Sequence, residues 1–451
     1  MMTAKRGAVH EHRVISLGVP RGTGPSGPSA GPSAPALAAG DDAPPLALPA
    51  SHFAVALIAL VGGALALLAQ APQVVQLQFF APRFLASVHL FTLGWITTSI
   101  LGALYQFLPV AVGVPIRSER AGYLGLALHA SGLTLFVLGL VSSSPDVFRA
   151  GAILVSLGLL VFVVNLGLTL ARAEKRDVTF WALALADLFL VATVVLGWLV
   201  AWNLHGGRLL GAERFTYLAV HVHVALAGWV LLVMVGVAHR LLPMFLLSHG
   251  ASEWPARISV GLLASGSGLL LLPLGTPGHA GAAVLIASGV CAFLVRAAAV
   301  YRHRRRRALD PGMRLAYGAL LSLAAATLAG PFALAQGFGA PRALVTYGLL
   351  AIVGAISTFI AGHYYKIVPF LVWYHRFGPL VGERPVPKVA DLFSARVAAF
   401  AVAAFVLGTW TMTAGVALSS AAAMRVGASM FAAGVLVEAA QMIDIARRKP
   451  A

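Results

Sequence analysis

Charged residues are scarce in this sequence. Only 10% of its 451 residues are Asp, Glu, Lys or Arg, whereas 59% are hydrophobic, and its mean hydropathy is +0.87. Soluble domains carry about 25% charged residues. This shortage of charge excludes a soluble protein and predicts an integral membrane protein.

Cysteine and acidic residues are also rare. The single cysteine, Cys291, lies in an apolar run, which excludes both a disulfide framework and a thiolate metal cluster. Within apolar stretches the main acidic residues are Asp187 and Glu438, too few for a proton pump built on carboxylate chains. The net charge of +17 does not indicate a nucleic-acid partner, because the basic residues fall in short turns where they act as topology signals.

Apolar stretches of about 20 residues, long enough to cross roughly 30 Å of hydrocarbon, follow a polar N-terminal segment. Residues 1–50 are rich in Pro, Gly, Ala and Ser and are predicted to be a disordered cytoplasmic tail, in which His10 and His12 are incidental. Residues 51–451 are predicted to form a twelve-helix transmembrane domain. Its spans are placed near 52–70, 84–110, 121–141, 147–170, 178–202, 214–245, 256–274, 280–300, 313–335, 343–373, 394–416 and 422–446.

A repeated helix organises these spans. HLFTLGWITTSILGALYQFLP begins at His89, and HVALAGWVLLVMVGVAHRLLP begins 134 residues later at His223. A third, fainter copy ends GHYYKIVPF and has Leu349 in place of the leading histidine. Because the copies fall on spans 2, 6 and 10, the sequence predicts three pseudo-equivalent four-helix units, with these spans lining the interior.

Basic residues alternate between the two sets of loops. The N-terminal tail, the C-terminus and the loops that follow even-numbered spans carry 23 Lys and Arg, whereas the opposite loops carry six. By the positive-inside rule both termini are cytoplasmic. We expect a multi-pass protein of the cell inner membrane, in contact with membrane lipid.

Histidines near the outer ends of spans 2 and 6 are the main candidate cofactor ligands, since intramembrane histidine marks function. His89 and His223 are expected to be axial ligands, with His221 the next candidate; the two rings of the His-Val-His triplet face opposite sides of a helix. The alternative is hydrogen-bonded packing, which we expect for the isolated His129. The Gly-Trp pairs after His89 and His223 are expected to leave room for a planar group. A backbone carbonyl or a hydroxyl such as that of Thr92 is expected to satisfy the second ring nitrogen.

Basic and aromatic residues near the inner ends form a second set. His239, Arg240 and His363 are candidates for holding haem propionates, a lipid phosphate or protons in transit. For Arg240 and Lys366 the alternative is that the side chains extend to the lipid headgroups. Tyr364 and Tyr365 are alternatively residues of an interfacial aromatic belt.

Twelve spans in three units of four, with His89 on span 2 and His223 on span 6, resemble subunit I of the haem-copper oxidases across residues 52–446. The resemblance implies a twelve-helix ring, and it implies that His89 is a ligand of a low-spin haem. The sequence departs from that family because span 10 has Tyr347 and Leu349 instead of His-x-His, and span 7 has no histidine. It therefore resembles divergent oxidase subunit I-like proteins and the NnrS membrane proteins of nitric oxide response.

Three functions are compatible with these features. The first is a protein that binds one or two haems b, without an oxidase copper site, acting in electron transfer or in the response to oxygen or nitric oxide, with a cytochrome c or another redox subunit as partner. The second is a transporter or permease without haem. The third is an active terminal oxidase or nitric oxide reductase, against which the absence of histidine from span 7 argues.

Overall fold

The computed structural model describes residues 44–78, 80–204, 210–336 and 339–450. These ranges are almost entirely helical and contain no β-strand, which confirms the predicted all-α class. The described residues belong to one compact unit. Most of the predicted tail lies outside the described residues, and the first helix begins at Ala47, within the last residues assigned to that tail.

The described residues contain twelve principal helices, named here in chain order. They are α1 Ala47–Ala69, α2 Pro82–Val112, α3 Glu119–Val141, α4 Pro145–Ala171, α5 Val178–Leu204, α6 Arg214–Leu246, α7 Trp254–Leu269, α8 Gly275–Arg302, α9 Pro311–Gln336, α10 Pro341–Arg376, α11 Ala395–Ala417 and α12 Ala421–Arg447. Within the described ranges, eleven are long and apolar enough to cross a membrane. The chain is therefore a multi-pass membrane protein.

Helix α7 is the exception. It has 16 residues, which at 1.5 Å per residue span about 24 Å, whereas the hydrocarbon core is about 30 Å thick. The predicted seventh span, 256–274, therefore ends early as a helix. Pro273 prevents a longer extension, because a proline disfavours the helical conformation of the residue before it, here Leu272.

Helices α2, α6 and α10 share a π-helical segment. It covers Leu90–Thr97 in α2, Val224–Leu231 in α6 and Leu349–Ser357 in α10. At the end of the π segment in α2 the Leu93 carbonyl accepts both the backbone N–H and the hydroxyl of Thr98 (hydroxyl 3.0 Å), and in α10 the Val353 carbonyl accepts the same two groups of Thr358 (hydroxyl 2.9 Å). π segments are rare and frequently mark functional sites.

The same three helices form the interior. In the most apolar 18-residue stretch of each of these helices, 61–67% is buried inside the protein. The corresponding share in the other membrane-length helices is 33–50%. The prediction that spans 2, 6 and 10 line the interior is therefore confirmed. We call the side of the molecule at which α2, α6 and α10 begin the start face, and the side at which they end the end face.

Each of these helices packs closely on the helix before it in sequence. A side-chain carbon at Gly102 would lie 2.6 Å from Cβ of His52 on α1, and one at Gly236 would lie 2.6 Å from Cβ of Ala182 on α5. At Gly362 the nearest atom is the Gly312 carbonyl oxygen on α9, at 2.5 Å. The repeated glycine is thus required by close helix contact. Each of the three packed pairs is followed by a helical hairpin: α3–α4, α7–α8 and α11–α12.

The glycines of the Gly-Trp pairs contradict one expectation. A side-chain carbon at Gly94 would lie 2.5 Å from Cβ of Ala59, and one at Gly228 would lie 2.8 Å from Phe189. The neighbouring helices α1 and α5 occupy the space beside both glycines. The expectation that they leave room for a planar group was therefore wrong.

Candidate functional site

A cavity of about 550 Å³ lies between the start-face halves of α2 and α6. Helices α3, α4 and α5 complete its wall. Its volume lies within the range of roughly 300–1,000 Å³ typical of ligand pockets. Two imidazoles line it, His89 from α2 and His221 from α6. The cavity therefore presents two nitrogen ligands from two different helices.

The ring of His89 is held in one orientation. Its Nδ1–H donates to the Leu85 carbonyl at 2.8 Å, one turn back along α2. Because a carbonyl only accepts, Nδ1 carries the proton and Nε2 keeps a free lone pair. The ring also rests against Phe136 of α3 (centroids 4.9 Å apart), which packs on Phe148 of α4 (4.6 Å). An imidazole fixed through its other nitrogen in this way is typical of metal-ligating histidines.

The ring of His221 is placed by a glycine on α5. A side-chain carbon at Gly197 would lie 3.2 Å from Cε1 of His221, closer than most real contacts of this type. Gly197 also lines the cavity, as does Thr193 one turn earlier on α5. The absence of a side chain at Gly197 therefore allows the imidazole to approach α5 closely.

Polar groups are few and lie around the two imidazoles and near the start face. Ser156 of α4 accepts a hydrogen bond from Trp198 Nε1 at 2.9 Å. Arg214, at the first residue of α6, also lines the cavity and is exposed, with its guanidinium carbon 4.7 Å from the Phe215 ring centroid. Most of the remaining wall is apolar. A ligand with a large apolar body and a negatively charged edge fits this distribution.

His223 occupies a different environment. Its Nδ1–H donates to the Ala219 carbonyl at 2.8 Å, so that its Nε2 accepts from the Tyr347 hydroxyl on α10 at 3.3 Å. The two rings are stacked with centroids 6.0 Å apart. His223 does not line the cavity that contains His89. Of the two expected ligands, the structure places only His89 in this cavity, together with the next candidate, His221.

Two positions recur on the three interior helices and explain this pairing. In α2, α6 and α10, respectively, the first position holds Ser87, His221 and Tyr347, and the second position holds His89, His223 and Leu349. The second position of α2 shares a cavity with the first of α6, and the second of α6 contacts the first of α10. The two histidines of the His-Val-His triplet therefore belong to two different helix junctions.

The candidates near the end face do not line this cavity. Arg240 forms an ion pair with Asp177, and His239 Nε2 lies 3.7 Å from Glu253 Oε1. Burial opposes ionisation of Asp177, but its hydrogen bond with Arg240 and the charge of Arg240 outweigh this and lower the pKa of the carboxyl. Lys366 forms an ion pair with Asp310. In the structure the Arg240 guanidinium and the Lys366 ammonium each pair with a carboxylate of the protein.

Two other sequence expectations concern hydrogen bonds, and both are confirmed. His129 packs in mid-helix and donates from Nε2 to the Leu93 carbonyl, 3.1 Å away in the π segment of α2. Backbone carbonyls satisfy the second ring nitrogens of His89 and His223, whereas Thr92 donates to the Val88 carbonyl instead.

No protein-family model matches the chain, and no curated protein matches it significantly in sequence.

Proposed function

We propose that the protein binds haem b in the cavity between α2 and α6, with His89 and His221 as the axial ligands. The observation that carries this proposal is that two imidazoles from different helices line one cavity of about 550 Å³. Imidazole is a common protein ligand of haem iron, and His89 and His221 are the residues that would hold the group in this cavity.

The residues present fit the group in three respects. His89 offers a free Nε2 because Nδ1 donates to Leu85. The apolar walls suit the macrocycle, and they favour neutral imidazoles because a charge is costly in hydrocarbon. Arg214, on the start-face side, suits the propionates. When bound, haem would supply one-electron redox chemistry, and the protein's own residues would orient it and exclude water.

The proposed role is electron transfer or a response to oxygen or nitric oxide, with a cytochrome c or another redox subunit as partner. The proposed location is a cell inner membrane, with the end face cytoplasmic, supported by the 23 basic residues on that side against six. The proposed fold relationship is a divergent oxidase subunit I-like protein without its copper site. It is supported by the threefold order of a packed helix pair followed by a hairpin.

The proposed haem position differs from that in the oxidases. There, the second and tenth helices share the low-spin haem; here, α2 and α6 would share it. Helix α10 has Tyr347 and Leu349 at the two positions concerned, and neither is an imidazole. The chain would thus use an equivalent junction of the repeated architecture rather than the same one.

A visible spectrum tests the proposal. The protein purified from haem-supplemented cells is expected to show a low-spin Soret band and, when reduced, an α-band. His89→Ala is expected to abolish both, while His129→Ala keeps them. A colourless wild-type protein would refute haem binding.

If the wild-type protein is colourless, we propose instead a transporter or permease without haem. Its supporting observation is the interruption of α2, α6 and α10 by π segments, since transporters use discontinuous helices around their binding sites.

A further inference from the structure

A second cavity, of about 90 Å³, lies among the interior helices. Its wall comes mainly from α2, α6 and α10, with Phe53 of α1 added. Three successive levels of this wall take one residue from the same position of each repeat copy. From the start face toward the end face, the levels are Ile100, Met234 and Ile360; Ala103, Val237 and His363; and Phe107, Leu241 and Ile367. The cavity therefore lies between equivalent faces of the three copies.

Short side chains occupy part of the middle level. The levels on either side of it hold only large aliphatic or aromatic side chains and a methionine. Ala103 and Val237 are shorter, and both remain partly exposed although their helices form the interior of the protein. Because both residues line the cavity, a longer side chain at either position would extend into it.

The surface of the central cavity is almost wholly apolar. The hydroxyl groups of Ser99 and Tyr364 hydrogen-bond each other at 2.8 Å, and His363 Nδ1 donates to the Phe359 carbonyl at 2.8 Å. Nε2 of His363 and the side-chain amide of Gln106 have almost no accessible surface. Water in this cavity would therefore lack the two to four polar partners that a buried water molecule needs.

We propose that the central cavity binds a small apolar diatomic gas, the class of molecule to which dioxygen belongs. Apolar cavities inside proteins stay dry, and one of about 150 Å³ accepts benzene or xenon. The central cavity is smaller, at about 90 Å³, and suits a diatomic molecule better than an aromatic ring. Apolar molecules leave water for apolar surroundings, so the membrane would supply the gas to the interior of the protein.

The central cavity adjoins the larger cavity between α2 and α6. Val230 of α6 lines both of them. This residue therefore stands between a gas molecule in the central cavity and the cavity that contains His89 and His221. Binding of the gas depends on the protein chain alone, whereas a response to the gas at the two histidines rests on the proposed function.

Xenon-pressurised crystals of the full-length protein test the inference, because xenon is a heavy apolar probe that X-ray diffraction locates directly. We expect one xenon site between Ala103 and Val237. Ala103→Leu and Val237→Phe fill the cavity from two different helices, and each is expected to lower the xenon occupancy several-fold. Ala127→Leu, at an exposed position of α3, is the matched control and should leave the occupancy unchanged. Ordered water in the wild-type cavity, or a lipid or detergent chain filling it, overturns the inference.

Dissolved dioxygen tests the same site in detergent solution. Dioxygen is paramagnetic and accelerates the nuclear magnetic relaxation of methyl groups that it contacts. Met234 lines the cavity, whereas Met412 is 0% exposed, packs on Gly427 of α12 and is the control. We expect dioxygen to accelerate relaxation of the Met234 methyl group several-fold more than that of Met412, and we expect Ala103→Leu to remove this difference.

Equal relaxation of the two methionine methyl groups under dioxygen in the wild-type protein overturns the inference. The visible spectrum of the same sample reports separately on haem binding. A colourless protein that takes up xenon and dioxygen would therefore refute the proposed haem and leave the gas site in place.

Discussion

The Tyr347 hydroxyl on α10 donates a hydrogen bond to Nε2 of His223 on α6, 3.3 Å away. This contact uses the lone pair that an axial ligand would give to iron. His221, two residues earlier, lines the large cavity with His89. Residues two apart on a helix point about 200° apart, so the triplet serves two helix junctions. The cavity of about 550 Å³ lies at the junction of α2 with α6.

We expect His221→Ala and His223→Ala to behave differently. His221→Ala removes one ligand of the haem. We expect its affinity for haem to fall by more than the roughly 10–100-fold that is typical when a hydrogen-bond partner of a metal ligand is removed. Losing His223 should leave the haem spectrum unchanged and destabilise the fold by about 0.5–1.5 kcal/mol through the lost hydrogen bond. Haem content and the reduced α-band measure the first effect, and thermal unfolding measures the second. If His223→Ala lost the α-band and His221→Ala kept it, the pairing of His89 with His223 that the sequence predicts would be correct.

Gly197→Ala should disturb His221 without removing it. The added methyl group would lie 3.2 Å from Cε1, so the ring must shift by a few tenths of an ångström or rotate. We expect a bound haem with an altered low-spin electron paramagnetic resonance signal, because that signal depends on the orientation of the axial imidazoles. Gly261→Ala on α7 is the control, since nothing lies within 4 Å of its added carbon. An unaltered signal in Gly197→Ala would contradict the assignment of His221.

The interior helices could be predicted from sequence because their repeat preserves both histidines and glycines. The fixed offset of 134 residues between His89 and His223 identified α2 and α6. The packing role of the glycines could not be predicted, because the sequence does not show which helix lies against them. Ala59 and Phe189 come from helices that precede the repeat and carry no recognisable motif.

The sequence also could not show which histidine of α6 shares a cavity with His89. The choice between His221 and His223 depends on how α6 is rotated, and the π segment that begins at Val224 alters that rotation. Gly197 and Phe136 were missed because a lone glycine or phenylalanine in an apolar span has no distinguishing signal. Arg214 is one of the six basic residues in the loops that carry little positive charge. Its position at the start of α6, seven residues before His221, could have indicated a role beside the ligands.

The close contact of α9 with α10 should make Gly362 sensitive to substitution. In Gly362→Ala the new carbon would lie 2.5 Å from the Gly312 carbonyl oxygen and 3.0 Å from the Ala316 nitrogen, both backbone atoms. The helices must separate, which we expect to cost about 1–3 kcal/mol. Gly268→Ala, with nothing within 4 Å, is the control and should be neutral or stabilising by up to about 1 kcal/mol. Loss of helical circular dichroism on heating in detergent measures both. Equal melting temperatures would show that the helices are not in this contact.

The ion pair of Asp177 with Arg240 should make part of the stability depend on pH. The pKa of Asp177 is lowered from 3.8 in the folded protein. A lowered pKa means that the pair stabilises the fold above pH 3.8 and that this contribution is lost as the pH falls through the lower folded value. We expect the difference in melting temperature between wild type and Asp177→Asn to be present at pH 7 and to shrink below pH 4. Asp146→Asn is the control. The Asp146 side chain is 91% exposed, so its ion pair with Arg149 contributes little to stability. A difference that does not change with pH would contradict the assignment.

The short helix α7 provides the sharpest test of topology. If α7 and α8 each cross the membrane, the loop around Ser252 and the turn around Pro273 lie on opposite sides, and both chain termini lie in the cytoplasm. If α7 does not cross, the charge alternation of 23 basic residues against six could not hold for the helices that follow it. We therefore expect a cytoplasm-active reporter to function when fused at Ser252 or after Lys449, and a reporter active only outside the cytoplasm to function when fused at Pro273. Single cysteines at the same positions, in a Cys291→Ser background, should give the same result with a membrane-impermeant thiol reagent. Labelling of Ser252→Cys and Pro273→Cys from the same side of the membrane would show that α7 is not a transmembrane helix.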